Sequence, residues 1–312
     1  MGQLTSSPPV THSFQGYLAA KKSVDDRALN RHVWENLVRS LPRSTPDTRV
    51  QVLEVGAGIG TMLERALEWG LLTRAAYTAI DAERLNIGEA RRRLPAWAAA
   101  HGFYVEEMQA GVGLRRGAQD VRVEFDAVDL FDLVGRERGR RAWDLLIAHA
   151  FMDLVDSATS LPLLFSMLRP GGLFYMSLVF DGATIFQPEI ESALDAQIET
   201  LYHQTMDRRI TAGQPSGDSR CGRHLFAHLQ AAGAQLIDAG ASDWVVFAGP
   251  DGYPADEAYF LHFIIHTVRT ALEGHPDLEA ERFAAWIDRR HAQVEEGSLV
   301  YIAHQLDFLG RA

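Results

Sequence analysis

The sequence is poor in the features that mark secreted and membrane proteins. Cys221 is the only cysteine, so no disulfide can form within the chain. Apolar runs such as residues 145–148 are far shorter than the about 20 residues that a membrane-spanning helix needs. Residues 1–10 are mainly polar and contain proline, unlike the apolar core of a signal peptide. We therefore expect a cytoplasmic protein that has no membrane partner.

An excess of positive charge is absent as well. The formal net charge of -11 at pH 7 argues against a protein that follows nucleic-acid phosphates, since such a protein needs a basic face. The 47% of hydrophobic and 23% of charged residues are ordinary for a globular protein. At 312 residues the chain can bury a sizeable core. We expect no nucleic-acid partner, and a homodimer is left open.

The N-terminal region predicts a disordered leader followed by a helix. Residues 1–13 are rich in Ser, Thr and Pro, a composition typical of disorder. The oxygen-bearing side chains of residues 23–26 can cap the N-terminus of a helix. Apolar residues then recur at helical spacing from Leu29 to Leu41, and Pro42 ends the predicted helix.

After this helix, short apolar runs alternate with amphipathic stretches. The predicted strands are residues 50–55, 75–80, 121–128, 143–148 and 173–180. The predicted helices between them are residues 61–69, 83–100 and 157–168, with a hairpin or loop over 103–119. This alternation is typical of a mainly parallel sheet that is covered by helices on both faces.

The C-terminal third adds segments that a minimal sheet does not need. We predict helices over residues 189–209, 223–232, 257–273 and 277–294. Two further strands are predicted over residues 235–247 and 299–305. Glycine, proline and serine at residues 213–217 indicate a loop.

A glycine-rich stretch ends the first predicted strand and opens the next helix. Glu54 precedes Gly56, Gly58 and Gly60. Glycines permit a tight turn and let a ligand lie against bare backbone, facing the N–H groups of the helix. The dinucleotide-binding fingerprint needs a glycine where Thr61 stands, so that version of the motif is incomplete. An acid at Glu54 suits a cationic ligand better than a pyrophosphate.

This stretch and four later motifs resemble class I S-adenosylmethionine-dependent methyltransferases of the small-molecule type. The motifs are residues 54–60, Asp81, Asp129-Leu130, residues 143–150 and residues 168–173. The resemblance covers residues 50–180 and implies an α/β fold with a Rossmann-like, doubly wound, mainly parallel seven-stranded sheet. It also implies an antiparallel last strand between the fifth and sixth strands, and helical cap insertions. The cofactor S-adenosylmethionine, whose product is S-adenosylhomocysteine, would then contact Glu54, Gly56, Gly58 and Gly60.

The resemblance also implies roles for acids that follow the second and third strands. Asp81 would accept both ribose hydroxyls, although an ordinary helix cap is the competing interpretation. Asp129 would bind the adenine amino group, and the backbone N–H of Leu130 would face the ring. Asp126 or Asp132 would take this place if the strand register slips by one or more residues.

Candidate catalytic residues are His149 and Tyr202. Methyl transfer is an in-line displacement in which the protein mainly aligns the reactants. His149 ends a central strand, where ligands of α/β proteins collect, so it serves either as a general base or as a backbone contact of the cofactor. On the helix over residues 189–209, Tyr202 lies at the edge of the apolar face and is a candidate pocket hydroxyl, whereas His203 points to solvent. Weaker pocket candidates are Arg220, Arg223, Asp243, Trp244 and His304.

Other polar residues have competing interpretations. His262 and His266 have the spacing of a helical metal pair, but no Glu accompanies them and a polar stripe explains them, so we predict no metal. Tyr17 and Lys21 belong either to a lid over the cofactor or to a plain surface turn. Asp144 is interpreted as a structural cap at the start of a strand.

These observations divide the chain into three parts. We expect a leader and lid helix over residues 1–45, a cofactor-binding core over 46–184, and substrate cap insertions with the last two core strands over 185–312. Segments 17–41, 185–220 and 255–294 should cover the carboxyl edge of the sheet.

The expected function is transfer of a methyl group to an O, N or C atom of a small-molecule metabolite. A non-catalytic cofactor-binding regulator is the alternative. A nicotinamide-dependent oxidoreductase is a weaker alternative, because Glu54 and Thr61 do not fit the phosphate-binding version of the loop.

Overall fold

A single mixed sheet runs through the protein. The computed structural model describes residues 13–45, 47–211 and 213–312, so the predicted leader lies outside the described residues except for Ser13. The strands are β1 (Val50–Val55), β2 (Arg74–Asp81), β3 (Tyr104–Met108), β4 (Gly111–Arg116), β5 (Gln119–Ala127), β6 (Trp143–His149), β7 (Leu168–Gln187), β8 (Ile210–Thr211), β9 (Gln214–Pro215), β10 (Gln235–Ala241), β11 (Trp244–Val246) and β12 (Val300–Arg311).

Helices cover this sheet and one of its ends. They are α1 (Phe14–Ala20), α2 (Lys22–Ala28), α3 (Arg31–Ser40), α4 (Thr61–Glu68), α5 (Arg84–Ala100), α6 (Leu130–Glu137), α7 (Ser157–Phe165), α8 (Ser192–Asp207), α9 (Cys221–Ala231), α10 (Glu257–Leu272) and α11 (Ala280–Glu295), with a 3-10 turn at Met152–Leu154.

The strand order within the described ranges is β10-β12-β7-β6-β1-β2-β5-β4-β3, with β11 also paired to β12, which makes a ten-stranded sheet. Strands β5, β2, β1, β6 and β7 are mutually parallel. Strand β12 runs antiparallel between β7 and β10. The predicted doubly wound α/β fold is therefore confirmed, including the antiparallel last strand inserted between the fifth and sixth core strands.

The central strands are apolar on both sides because each face of the sheet carries helices. On β1, Val52 belongs to a core with α3, α4 and α5, whereas its neighbour Leu53 belongs to a second core with α6, α7 and α9. On β6, Ile147 and Ala148 divide between the two cores in the same way. This alternation follows from the two-residue period of a strand and explains the unbroken apolar runs in the sequence.

Three additional strands enlarge the seven-stranded core. The segment predicted as a hairpin or loop over residues 103–119 is the β3–β4 hairpin, which extends the sheet beyond β5. The single strand predicted over residues 235–247 is wrong, because β10 and β11 are separated at Ser242-Asp243. Asp243 accepts hydrogen bonds there from the β12 backbone at Gln305 and from His304. Strand β12 also continues past its predicted end to Arg311.

The helix predicted from Leu29 to Leu41 begins later, as α3 at Arg31, and two unpredicted helices, α1 and α2, precede it. Residues 23–26 lie inside α2 and do not cap the following helix. The cap of α3 is Asn30, whose side chain accepts hydrogen bonds from the N–H groups of His32 and Val33. Asn30 also donates its backbone N–H to the buried Asp307, 2.9 Å away on β12. A tertiary contact therefore fixes where this helix starts.

Candidate functional site

A large cavity of about 1170 Å³ lies at the carboxyl ends of β1, β2, β5, β6 and β7. This edge of an open α/β sheet is where ligands collect. Residues from α1, α8 and α10 line the cavity wall, so parts of all three predicted covering segments reach it. Helices α3 and α11 do not line it: α3 packs against β10 and β12, and α11 packs against α10.

The glycine loop forms one wall of the cavity. Gly56, Gly58 and Gly60 all have positive φ angles, of 65°, 54° and 85°. A Cβ at Gly56 would lie 2.5 Å from Cδ2 of Phe151, so only glycine fits there. Gly60 is the N-cap of α4, which begins at Thr61. The N-terminal N–H groups of α4 therefore start beside the cavity.

Asp81 links the end of β2 to the glycine loop. Its Oδ2 accepts a hydrogen bond of 2.8 Å from the N–H of Gly58. Its Oδ1 accepts from the N–H of Glu83 at 2.8 Å and from the side chain of Asn86 at 3.2 Å. Asp81 lines the cavity. These bonds use three of the about four lone-pair sites of the carboxylate, which leaves one on Oδ2 for a ligand. The helix-cap interpretation is thus compatible with a ligand contact at the same carboxylate.

Glu54 is a buried acid on the same wall. Its side chain accepts a hydrogen bond of 2.7 Å from the hydroxyl of Tyr77, and the residue is only 1% exposed. Burial raises the pKa of Glu54 to about 8, and the Tyr77 hydrogen bond and the positive charge of Arg65 only partly oppose this rise. A cationic group in the cavity would reverse the shift and favour the carboxylate.

Asp129 and Leu130 lie at the cavity after β5. Asp129 is exposed and caps α6 by accepting a hydrogen bond of 2.7 Å from the N–H of Phe131. The competing acids are elsewhere, because Asp126 pairs with Arg136 at 2.7 Å and neither it nor Asp132 lines the cavity. The structure therefore brings Asp129, and not its two alternatives, to this wall.

His149 is buried at the end of β6, 7% exposed, with both ring nitrogens in hydrogen bonds. Its Nε2 lies 3.1 Å from Oδ2 of Asp25 and its Nδ1 lies 2.8 Å from Oγ of Ser177. Burial lowers the pKa of His149 to about 4, although Asp25 opposes this shift. The neutral ring thus donates from Nε2 to the carboxylate and accepts from the serine hydroxyl. The next residue, Ala150, has a φ of 48°, a strained conformation for a non-glycine residue.

Asp25 connects the N-terminal helices to the sheet. Its carboxylate forms an ion pair of 2.9 Å with Lys21 and accepts a hydrogen bond of 3.0 Å from the indole of Trp244. Burial disfavours its charge, but Lys21, His149 and Arg65 together hold the pKa of Asp25 below its ordinary value. Because Lys21 and Trp244 also line the cavity, this cluster fixes α1 and α2 over the site.

Tyr202 faces the cavity from α8, as the helical periodicity predicted. Burial raises its pKa to about 12, and the charge of Arg209 partly opposes the rise. The hydroxyl is therefore a neutral donor at neutral pH. Tyr17 on α1 and Tyr301 on β12 line the same end of the cavity, so the lid interpretation of Tyr17 and Lys21 fits their position better than a surface turn.

Several candidates from the sequence lie away from the cavity. The prediction for His203 is wrong, since its Nε2 lies 3.0 Å from the Thr184 hydroxyl and it does not point to solvent. Arg223 binds Asp181 at 2.8 Å. Arg220, Asp243 and His304 also lie outside the cavity wall, and the last two form a hydrogen bond of 2.7 Å. Asp144 lies outside it as well and accepts a hydrogen bond from the β1 backbone at Gln51, as a structural cap would.

The structure also places residues at the cavity that sequence reasoning missed. Asp153, four residues beyond His149, follows a strand end and carries the signal that identified the other acids. Ser160, Arg209 and Gln305 also line the wall. No sequence signal marks Ser160 and Gln305, because a helix and a bulged strand bring them there. Arg209 ends the helix predicted over residues 189–209, in the same polar and aromatic stretch as Tyr202.

His262 and His266 belong to α10, and Nδ1 of His262 lies 2.7 Å from Nδ1 of His291 on α11. In the described part of the chain, no three His, Cys, Asp or Glu side chains form a group that could hold a metal ion. None of the helices in the described ranges is long and apolar enough to cross a bilayer.

No family model and no protein of curated function matches the sequence. Among solved structures, the chain is similar to an S-adenosylmethionine-dependent methyltransferase from Thiobacillus denitrificans in complex with S-adenosylhomocysteine, with 16% identity, a TM-score of 0.45, and coverage of 95% of this chain and 98% of that one. A putative methyltransferase from Bacillus halodurans has 11% identity and a TM-score of 0.48, and the match covers 90% of this chain and 99% of that one. The [4+2]-cyclase SpnF has 14% identity and a TM-score of 0.43, and the match covers 96% of this chain and 93% of that one.

Proposed function

We propose that this protein is an S-adenosylmethionine-dependent methyltransferase that acts on a small molecule. The observation that carries the proposal is the arrangement of three acids, Glu54, Asp81 and Asp129, at the ends of three adjacent strands around one glycine loop. Each acid would contact a different part of an elongated ligand. A buried acid suits the positive charge of the methionine part, and the two outer acids suit hydroxyl and amino groups.

The size of the cavity supports a second ligand. Small-molecule pockets are usually about 300–1,000 Å³, and this cavity measures about 1170 Å³. The glycine loop and the three acids form one part of the wall, and Tyr17 of α1, Tyr202 of α8 and Tyr301 of β12 form another part, which we call the acceptor end. A cofactor and a methyl acceptor therefore fit side by side, with water excluded by the covering helices.

The bound cofactor would supply an activated methyl group, and the protein would align the acceptor with it. We propose that His149 holds the cofactor end of the site in place through Asp25 and Ser177, since both of its nitrogens have protein partners. Its pKa of about 4 also makes it a weak base. Tyr202 would act as a hydrogen-bond donor that orients the acceptor.

The two alternatives have less support. A nicotinamide cofactor would place a pyrophosphate at the glycine loop, close to the buried acid Glu54. A non-catalytic regulator needs no second compartment, whereas the cavity extends well beyond the acids. Four statements stay predictions from the sequence. They are the cytoplasmic location, the lack of a nucleic-acid or membrane partner, a homodimer as one option, and the three-part division at residues 45 and 184.

Calorimetric titration with S-adenosylmethionine, S-adenosylhomocysteine and NAD tests the proposal. We expect binding of the first two ligands and none of NAD. Lack of S-adenosylmethionine binding at millimolar concentration would overturn the proposal. Release of S-adenosylhomocysteine during incubation with a metabolite mixture separates the enzyme from the regulator, because a regulator would bind the cofactor without turnover.

A further inference from the structure

The Arg209 guanidinium forms no ion pair with any described residue at the acceptor end of the cavity. It follows α8, is half-buried, and lines the cavity. Its backbone N–H and carbonyl bond to Met206 and Ser216. Within residues 13–45, 47–211 and 213–312, its guanidinium group makes no hydrogen bond or salt bridge, unlike those of Arg223 and Arg290. A guanidinium keeps its positive charge at every physiological pH.

The other charges at this end do not form an ion pair with Arg209. Lys21 is already paired with Asp25 at 2.9 Å. Asp153 also faces the cavity, and burial raises its pKa, a rise that the positive charges of Arg209 and Lys21 partly oppose. Because no salt bridge joins Asp153 to Arg209 among the described residues, the guanidinium group is available to an anionic ligand group and disfavours an ammonium group.

The wall around Arg209 is aromatic. The ring of Tyr17 stacks on Phe263 with centroids 4.4 Å apart. Tyr202 and Tyr301 line the cavity opposite, and among the described residues neither hydroxyl has a hydrogen-bond partner. Flat apolar ligands fill such a space well, because aromatic rings prefer stacked or edge-to-face contacts.

One further polar group points into this space without a partner. Gln305 is 3% exposed, lines the cavity, and its Oε1 makes no hydrogen bond to any described residue. It lies where the pairing of β12 with β7 shifts register between Ala303 and Gln305. A buried carboxamide without a partner costs stability, so a ligand group that satisfies it would bind favourably.

We propose that the methyl acceptor is an aromatic molecule with an acidic group, a carboxylate in the simplest case. Arg209 binds the acidic group, the tyrosine rings hold the flat body, and Gln305 bonds a polar ring substituent. This inference rests on the proposed function for the location of the acceptor, but the charge preference it assigns to the pocket can be measured separately.

Three probes with the same naphthalene ring test this charge preference: 2-naphthoate, its isosteric amide 2-naphthamide, and 2-naphthylmethylammonium. Each is titrated calorimetrically into the whole protein, with and without S-adenosylhomocysteine. We expect 2-naphthoate to bind about tenfold or more tighter than 2-naphthamide, since a charge-assisted bidentate pair is lost in the amide. Arg209→Gln should abolish the difference, and Arg209→Lys should retain part of it.

Arg208→Gln is the matched control. Arg208 is the adjacent residue and is exposed, and among the described residues its side chain bonds only to Gln204, 3.2 Å away. This variant should keep the preference for 2-naphthoate. Arg209 makes no hydrogen bond or salt bridge to the glycine loop among the described residues. Its variants should therefore bind S-adenosylhomocysteine as the wild type does, which also reports that they are folded.

The inference is overturned if the amide binds as well as the acid, if the ammonium probe binds most tightly, if the preference survives in Arg209→Gln, or if no probe binds. An ammonium preference would favour an amine acceptor beside Asp153. None of these outcomes affects cofactor binding, so they leave the proposed function intact. Failure of S-adenosylhomocysteine to bind would overturn the proposed function, and the probe titrations without it would still decide the charge preference.

Discussion

Replacing Glu54 by glutamine tests the electrostatics of the proposed cofactor site. Burial raises the pKa of Glu54 to about 8, so the carboxyl is about nine-tenths protonated at pH 7 in the free protein. The cationic methionine part of the cofactor favours the carboxylate. Binding at pH 7 should therefore release close to one proton, because the group ionises as the ligand arrives.

The size of the effect follows from the pKa. Ionising Glu54 costs about 1.4 kcal/mol for each pH unit below 8, and the affinity for S-adenosylmethionine should rise about tenfold from pH 6 to pH 7. The affinity should level off above pH 8. The stability of the free protein changes in the opposite direction: the contribution of Glu54 is fully present below its ordinary pKa of 4.5 and is lost as the pH rises towards 8.

Calorimetry in two buffers of different ionisation enthalpy measures this proton release. Glu54→Gln keeps an acceptor for Tyr77 but cannot ionise. The variant should bind S-adenosylmethionine more weakly, release no proton, and show no rise in affinity between pH 6 and pH 7. Glu64→Gln is the control, because Glu64 is equally buried and has a raised pKa but does not line the cavity.

Two results would refute the reasoning. If wild-type binding releases no proton at pH 7 and its affinity is independent of pH, Glu54 does not face the charge of the ligand. If Glu54→Gln releases as many protons as the wild type, another group is responsible. If Glu64→Gln binds the cofactor without releasing a proton, the release likewise does not come from Glu54.

Three shorter tests concern the ribose acid, the buried histidine and the covering helices. Asp81→Ala should weaken S-adenosylhomocysteine binding by about 1.5–3 kcal/mol, because charge-assisted hydrogen bonds are lost. Asp126→Ala is the control: it breaks the surface pair with Arg136 and should leave the measured Kd unchanged. In an NMR pH titration His149 should stay neutral above pH 5, because its pKa is about 4; a midpoint near the ordinary 6.5 would contradict its burial. Hydrogen exchange should slow in the glycine loop, α1 and α8 when S-adenosylhomocysteine binds, and protection of the loop alone would argue against a closed cover.

The sheet and its order of elements could be predicted because their signals are local. Val50–Val55 is buried on both faces, so it is an apolar run that needs no knowledge of distant residues. The acids and glycines of the proposed cofactor site stand at the ends of such runs, as Asp81 does at the end of β2. Parallel strands bring their carboxyl ends to one edge, which is why these residues meet.

The charged cluster under the cover could not be predicted in this way. Asp25 has the sequence of an ordinary helix cap, but its partners His149 and Trp244 are 124 and 219 residues away. Local patterns therefore predicted one helix in the N-terminal region, where the structure has three, α1, α2 and α3, with Asn30 as the N-cap of the third. The burial of Asp25 among partners that are distant in the sequence decided the conformation of this N-terminal region.

The sequence by itself determined the alternating strands and helices, the antiparallel last strand expected from the resemblance, and the acids at the strand ends. Only the tertiary structure decided which residues face the acceptor. Arg209 follows α8 and Gln305 lies at a register shift of β12, and neither local sequence shows that the side chain reaches the cavity. Side chains that meet across separate elements depend on packing angles and register shifts, which arise from the whole chain and are not encoded in any local pattern.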